Sequence, residues 1–328
     1  MLRTAVPELA RIQEPIRARL DELDKLLPQL VVDEFELIAE VNDYLLLKRG
    51  KLFRPTLLLL SNEIGGKPSR EAVLLAAVVE AVHLATLVHD DAVDHSVLRR
   101  GMPTVNSVWG HQVAIIMGDY LYSRSIMEMA RLQRVDVIGV LAEAANAMTI
   151  GEMRQLAMHD SLDFTEDDYY RLISAKTASL MSAACELGAL VGEPEYRDRL
   201  KAYGYALGMA FQVVDDILDY TGTEDATGKP SGHDLREHKV TLPLIAALRE
   251  FGREERLALN ALFADPEPDD ELILRVVEAT TAGGGIKVAR AKARKFAEQA
   301  LSAIAGLPES PSATALAEAV TYVIERRQ

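Results

Sequence analysis

Apolar residues recur along most of the chain at three- and four-residue spacing, as in Leu121, Ile126, Met129 and Leu132. That is the period at which one face of an α-helix meets a core. Between Pro103 and Pro194 there is no proline, and Ala, Leu, Glu and Arg dominate; all four are good helix formers. No run of alternating β-branched residues marks a sheet. The pattern therefore predicts an all-α chain. Two helix starts are readable. Thr165-Glu166-Asp167-Asp168 resembles a capping box with Asp in the place of Glu, and Ser310-Pro311 sets an N-cap residue before a proline suited to the first helical position. Turns are expected at Gly65-Gly66-Lys67-Pro68, at Asp265-Pro266-Glu267-Pro268 and at Gly283-Gly284-Gly285. The longest irregular stretch runs from Thr221 to about Glu237, through Gly222, Gly228, Pro230 and Gly232. Loops beyond roughly 12–15 residues are usually functional or disordered. None of these breaks is long enough for a domain linker, so residues 1–328 read as one all-helical domain with one important loop.

Charge narrows the partners. Lys and Arg number 36 against 50 Asp and Glu, a net charge of −14. Such a balance argues against nucleic acid, whose phosphates need a basic face. The one cysteine, Cys185, allows no internal disulfide and no zinc site, and a reducing cytoplasm fits it best. The most apolar run, Ala76 to Val88, is interrupted by Glu80, His83 and Thr86, and no membrane span is expected from it. Arg3, Glu8, Arg11, Glu14, Arg17 and Arg19 interrupt the N-terminal region, so no secretory signal is expected.

Two carboxylate clusters carry the chemistry. In His89-Asp90-Asp91-Ala92-Val93-Asp94, Asp90 and Asp94 stand four apart with Asp91 between them, which would put all three on one helical face. Like charges at that spacing destabilise a helix, so a cation should compensate. Oxygen ligands favour a hard ion, Mg²⁺, which commonly shares phosphate oxygens. Asp215-Asp216-Ile217-Leu218-Asp219 repeats the spacing on a second apolar helix, Ala206 to Ile217. One such cluster alone is as readily a solvated acidic face. Two, each embedded in apolar sequence, suit several Mg²⁺ and a polyanion such as diphosphate. Lys51 and Arg54, His83, Arg99-Arg100, Lys176-Thr177 and Lys229 supply donors. Taken singly, each has an ordinary reading as a solvated cation, a satisfied histidine or a helix-end charge. Gly283-Gly284-Gly285-Ile286-Lys287 lacks the phosphate-loop pattern and reads as a turn.

In combination these residues resemble the head-to-tail trans-polyprenyl diphosphate synthases, most closely the long-chain members. Glu80-x-x-His83, His89-Asp90-Asp91-x-x-Asp94 and Arg99-Arg100-Gly101-x-Pro103 are similar to that family's first aspartate-rich region. Phe211-Gln212-x-x-Asp215-Asp216-x-x-Asp219, Gly228-Lys229-Pro230 and Asp234-Leu235 are similar to its second. Gly118-Asp119, Lys176-Thr177 and the C-terminal Tyr322-Val323-Ile324-Glu325-Arg326 also fall where the family has them. Two positions depart. The family usually has Gly-Gly-Lys-Arg-x-Arg-Pro, where this chain has Arg49 for the first Gly and Leu52 for the middle basic residue, and it usually has Gly where this chain has His238.

The resemblance implies a helical bundle of the isoprenoid synthase type with a central cavity. It implies isopentenyl diphosphate on Lys51, Arg54, His83 and Arg100, and an allylic diphosphate on Arg99, Lys176, Thr177, Gln212, Lys229 and Lys239. Several Mg²⁺ would bridge Asp90, Asp94 and Asp215, supported by Asp91, Asp216 and Asp219. A homodimer is implied, and an apolar product would make transient membrane contact on release. In this family bulky residues before the first cluster limit product length. Here Ala85 and Thr86 precede Asp90, with Val82 further down the helix, so the gate reads as open and the product as long, such as a quinone side chain. Geranylgeranyl diphosphate is the alternative, with a floor near Met117 or Tyr120. A class I terpene cyclase would not need Lys51, Arg54 and His83. A non-catalytic prenyl-binding subunit would be expected to have lost carboxylates, and all six are present.

Overall fold

Long proline-free segments of strong helix formers leave the backbone little alternative to helices packed side by side. A computed structural model describes residues 8–47, 50–99, 101–158, 162–222 and 231–326. The helices are α1 (Leu9–Gln13), α2 (Arg17–Val31), α3 (Glu36–Leu47), α4 (Phe53–Glu63), α5 (Glu71–Val93), α6 (Val105–Trp109), α7 (His111–Arg131), α8 (Val135–Ala157) and α9 (Glu166–Ile173). There follow α10 (Ser179–Val191), α11 (Arg197–Thr221), α12 (His233–Arg236), α13 (Leu242–Ala247), α14 (Arg253–Ala264), α15 (Asp270–Ala282), α16 (Gly285–Ile304) and α17 (Pro311–Glu325). The one sheet among the described residues is a ribbon of β1 (Leu98–Arg99) and β2 (Met102–Pro103), paired antiparallel with Leu98 opposite Pro103. Gly101 has φ +72° between its strands. Strands of two residues are too short for alternation to register in a sequence.

The expected helix starts are present. Thr165 and Asp168 exchange both bonds of a capping box, and the Ser310 hydroxyl accepts from the Ala313 N–H. Helices also break at the three expected turns. The expectation for Ile126 needs correcting. Leu121 and Met129 are buried, whereas Ile126 is 47% exposed. Five residues beyond Leu121, it lies about 140° round the helix.

Helix α5 is apolar nearly all round and occupies the centre, packed on α2, α4, α7 and α10. Among the described residues it is the one helix long and apolar enough to cross a membrane, contrary to the expectation from Glu80, His83 and Thr86. Within its most apolar stretch 67% of residues are buried in the protein, so that apolarity serves the core. Helix α10 bridges α4 and α8 to α11, and α11 lies along α16. A smaller apolar cluster joins Tyr220, Leu235, Phe251, Leu262 and Ile273 beyond the end of α11.

Cys185 sits in the main core with no exposed surface, and burial pushes its thiol up to about 12. The native protein should therefore resist a thiol reagent at about pH 8 and react fully only in denaturant. Fast native labelling would contradict this packing.

Candidate active site

Asp90 and Asp94 stand at the C-terminal end of α5, and Asp215, Asp216 and Asp219 at that of α11. The first cluster does not share one face. Asp90 lies 3.5 Å from Lys176 and Asp94 3.7 Å from Lys239. Asp91 is turned away, buried, and takes Arg99 Nε at 2.8 Å on both oxygens. One residue along an α-helix is a rotation of about 100°, which separates it from Asp90. The second cluster divides three ways. Asp215 pairs with Arg326 at 2.5 Å. Asp216 accepts from the Tyr169 hydroxyl and, at 2.8 Å, from the Gln212 amide. Asp219 accepts the backbone N–H groups of His233 and Asp234, each at 3.1 Å, and so fastens α12 to α11.

Lys176 and Thr177 lie in a π-helical turn, Ser174–Ala178, between α9 and α10. Such bulges are frequent at functional sites because one extra residue re-aims its neighbours. Glycines admit this turn between two helices. A Cβ on Gly208 of α11 would stand 2.6 Å from Ala178 Cα, and one on Gly151 of α8 3.2 Å from the Lys176 N. Lys176 Nζ reaches Glu152 at 2.9 Å and Gln155 at 3.2 Å. The Thr177 hydroxyl donates to Gln212 Oε1 at 2.7 Å, so Tyr169 and Thr177–Gln212 both converge on Asp216.

Arg54 Nη1 donates to His83 Nε2 at 3.0 Å, and Arg54 and Lys51 both pull on the Asp215 carboxyl. Three residues expected at the isopentenyl site thus gather beside the second cluster. Leu52, between Lys51 and Arg54, has φ +50°. Arg100 and Lys229 lie outside the described residues. Lys239 Nζ also meets Glu237 at 2.7 Å. His238 adopts φ +51°, the conformation a glycine would take most easily. Its ring stacks on Phe263 at 5.2 Å and its Nε2 lies 3.0 Å from the Asp265 carbonyl oxygen, so it ties the Lys239 loop to the end of α14.

A cavity of 640 Å³ opens beside these groups; Asp90, Asp215, Lys51, Arg54, His83 and Arg99 are not among the residues that line it. Asp94, Lys176, Thr177, Gln212, Asp216 and Lys239 line its polar side, and Phe164, Leu172, Phe263 and Pro266 its apolar side. Burial pushes the Asp216 carboxyl up to about 7, against the bonds from Tyr169 and Gln212. Burial also raises Asp91 against Arg99, and Glu152 against Lys176, with Asp90 adding to the rise in Glu152. Asp215 is partly open but crowded, and it too is raised despite Arg326. Asp234 is raised well above the ordinary range by burial and by Asp219 and Asp216. Burial works to lower Lys239, but Glu237, Asp94 and Asp234 hold it above its usual value. Burial is thus the first cause of every raised carboxyl here, and neighbouring carboxylates add to it at Glu152, Asp216 and Asp234.

A family model described as polyprenyl synthetase matches residues 35–280. The chain belongs to the polyprenyl synthetase family. It is 36% identical over 303 residues to the octaprenyl diphosphate synthase of Escherichia coli, covering 92% of this chain and 93% of that protein. Its fold matches a polyprenyl synthase from Caulobacter crescentus, solved with calcium and isoprenyl diphosphate, at a TM-score of 0.93 and 30% identity, over 99% of this chain and 100% of that one. A decaprenyl diphosphate synthase from Rhodobacter capsulatus matches at a TM-score of 0.91 and 35% identity, over 98% of this chain and 100% of that one.

Several groups in this polyprenyl synthetase carried no signal of function in the sequence. Glu152 and Gln155 are three apart on an apolar helix and read as its polar side until Lys176 is placed between them. Tyr169 and Glu237 depend on the chain folding back; Arg326 falls in the family-like C-terminus, and only its pairing with Asp215 needed the fold. Among the described residues no three acidic or histidine side chains form a ready metal cage. All six aspartates nonetheless offer oxygen alone. Mg²⁺ keeps several waters and takes one or two carboxylates plus substrate phosphates, so dispersed oxygen ligands fit it.

Raised carboxyls leave a pH signature. Protonated Asp216 favours the folded state. Its contribution is full below the ordinary carboxylate range and fades as pH rises through about 7. Metal-free protein should lose thermal stability over that window more steeply than Asp216→Asn. Matching slopes would show that Asp216 titrates normally.

Proposed function

We propose that this enzyme is a Mg²⁺-dependent prenyltransferase. It condenses isopentenyl diphosphate with an allylic diphosphate, farnesyl or geranylgeranyl, to give a longer all-trans polyprenyl diphosphate and free diphosphate. The observation that carries the reading is the 640 Å³ cavity with acid and base on one side and apolar side chains on the other. The names of the octaprenyl and decaprenyl relatives support a long product.

The assigned roles follow the local chemistry. Lys176 and Lys239, with Arg99, hold the allylic diphosphate, while Lys51, Arg54 and His83 hold the isopentenyl one. Arg100 and Lys229 join these sets by sequence. Mg²⁺, when bound by Asp90, Asp94 and Asp215, neutralises charge that gathers on the leaving diphosphate. Asp91 supports the site by anchoring Arg99, Asp216 by orienting Gln212, and Asp219 by fastening α12. The Thr177 hydrogen is engaged by Gln212, so the Thr177 oxygen has lone pairs to turn toward an allylic carbocation. The carbon–carbon bond forms as isopentenyl attacks that cation, and the released diphosphate takes the proton. No side-chain base is then required.

The product end is not open in advance. Ala85 and Val82 are fully buried in the apolar core, and the cavity does not reach them or Thr86. A growing chain must part packed side chains there. The reading also includes a homodimer, supported by apolar rows left exposed on α7 (Ile115, Ile116, Ile126) and α8 (Ile150, Met153, Leu156). It includes the cytoplasm, which suits the buried unpaired Cys185, and transient membrane contact as an insoluble product leaves.

Incubation with Mg²⁺, labelled isopentenyl diphosphate and farnesyl diphosphate, followed by sizing of dephosphorylated products, tests the reaction. Products beyond geranylgeranyl are expected, and no incorporation with any allylic starter would overturn the assignment. Asp90→Ala or Asp215→Ala should each lower turnover about 100-fold or more; near-normal turnover would refute the metal roles. Ala85→Phe should shorten the product. An unchanged product would put the length limit elsewhere.

A further inference from the structure

Helix α16 concentrates positive charge in a chain whose net charge is −14. Lys287, Arg290, Lys292, Arg294 and Lys295 fall within nine residues, and the next acid is Glu298. Lys292 pairs with Glu166 and lies over the Tyr170 ring. Neither Arg290 nor Arg294 has an ion pair with a described carboxylate, and both are exposed. They are four apart on one helical face, a spacing at which like charges destabilise a helix unless an anion intervenes.

These two arginines line a groove of 60 Å³ between α11, α16 and the end of α17. Val214 and Ile217 form part of its floor, and Arg326 and Glu325 complete its polar side. The Arg326 side chain is 9% exposed. Its Nη2 donates to the Phe211 carbonyl oxygen at 2.8 Å and reaches Asp215, while its Nε has no hydrogen-bond partner. Val214 and Leu218, which line the groove, lie about half a turn round α11 from Asp216. The groove therefore shares no lining residue with the 640 Å³ cavity, and Arg326 joins it to Asp215 of the second cluster.

We propose that this groove is a binding site for a phosphate group. Guanidinium forks match phosphate oxygens in pairs, and the groove offers those of Arg290 and Arg294, with the unpartnered Arg326 Nε beside them, over an apolar floor. Its volume suits a phosphate and excludes an isoprenoid chain. A bound anion and Asp215 then share the Arg326 guanidinium. The phosphate is carried either by a small free anion, such as diphosphate, or by a lipid headgroup.

The test compares full-length protein with an Arg290→Gln/Arg294→Gln variant, in EDTA so that no metal recruits anions to the cavity. Calorimetry with inorganic phosphate and diphosphate probes the free anion. Co-sedimentation with phosphatidylcholine vesicles, with and without phosphatidylglycerol, probes the headgroup. At least a tenfold loss of affinity in the variant is expected in one assay, and the assay that shows it names the source. Loss in both assigns the shared chemistry. An Arg290→Lys/Arg294→Lys variant, which keeps charge without the fork, should bind with intermediate affinity. Turnover with saturating Mg²⁺ should match wild type in both variants. Equal behaviour of wild type and the Gln variant in both binding assays would overturn the proposal, as would a Lys variant that binds as wild type does.

Discussion

Everything around the cavity answers one electrostatic constraint, the cost of keeping many carboxylates together where water is scarce. Unit charges a few ångströms apart interact far more strongly there than in bulk water. The fold meets the constraint by giving each carboxylate a different partner. Lysines stand beside Asp90 and Asp94, arginines beside Asp91 and Asp215, neutral donors on Asp216, and backbone N–H groups on Asp219. Burial still outweighs these partners at Asp216 and Asp234, whose carboxyls stay raised. Such a site is prepared for a polycation to enter together with a polyanion.

That arrangement needs rigid supports. The acidic end of α5 is fixed by a helix buried over most of its length. Helix α11 is set against α10 and the π turn at glycines whose missing side chains let backbones approach. The lysines are then aimed by packing, so they need little reordering when a ligand arrives. His238 shows the same economy. It accepts an unfavourable backbone conformation and gains a stack and a polar contact that fix the Lys239 loop.

The helical class was readable because apolar spacing repeats over hundreds of residues, and Thr165 and Ser310 were readable because capping is local chemistry. Asp90 and Asp94 were readable as candidates because their motif is local, whereas Lys176 and Gln212 enter through the family resemblance. What stayed hidden depends on rotation or on distance. Asp91 shares a motif with Asp90 yet faces another way, and Asp219 belongs to a loop anchor. Glu152 and Tyr169 join the site only when separate helices pack, and so does the partner of Arg326, whose own segment is already family-like in sequence. The apolarity of Ala76 to Val88 is ambiguous by composition alone, and only burial assigns it to a core.

The sealed packing around Val82 and Ala85 has a mechanical consequence. A rigid wall stops a growing chain at one length, like a ruler with an end. If elongation runs toward α5 as proposed, packed side chains would resist like a spring, and each added isoprene unit would do work against them. Product length would then be a balance between elastic resistance and the free energy of each condensation. On that view the enzyme measures its product by compliance, and the stiffness of α5's neighbours is as much a part of its specificity as any residue in the cavity.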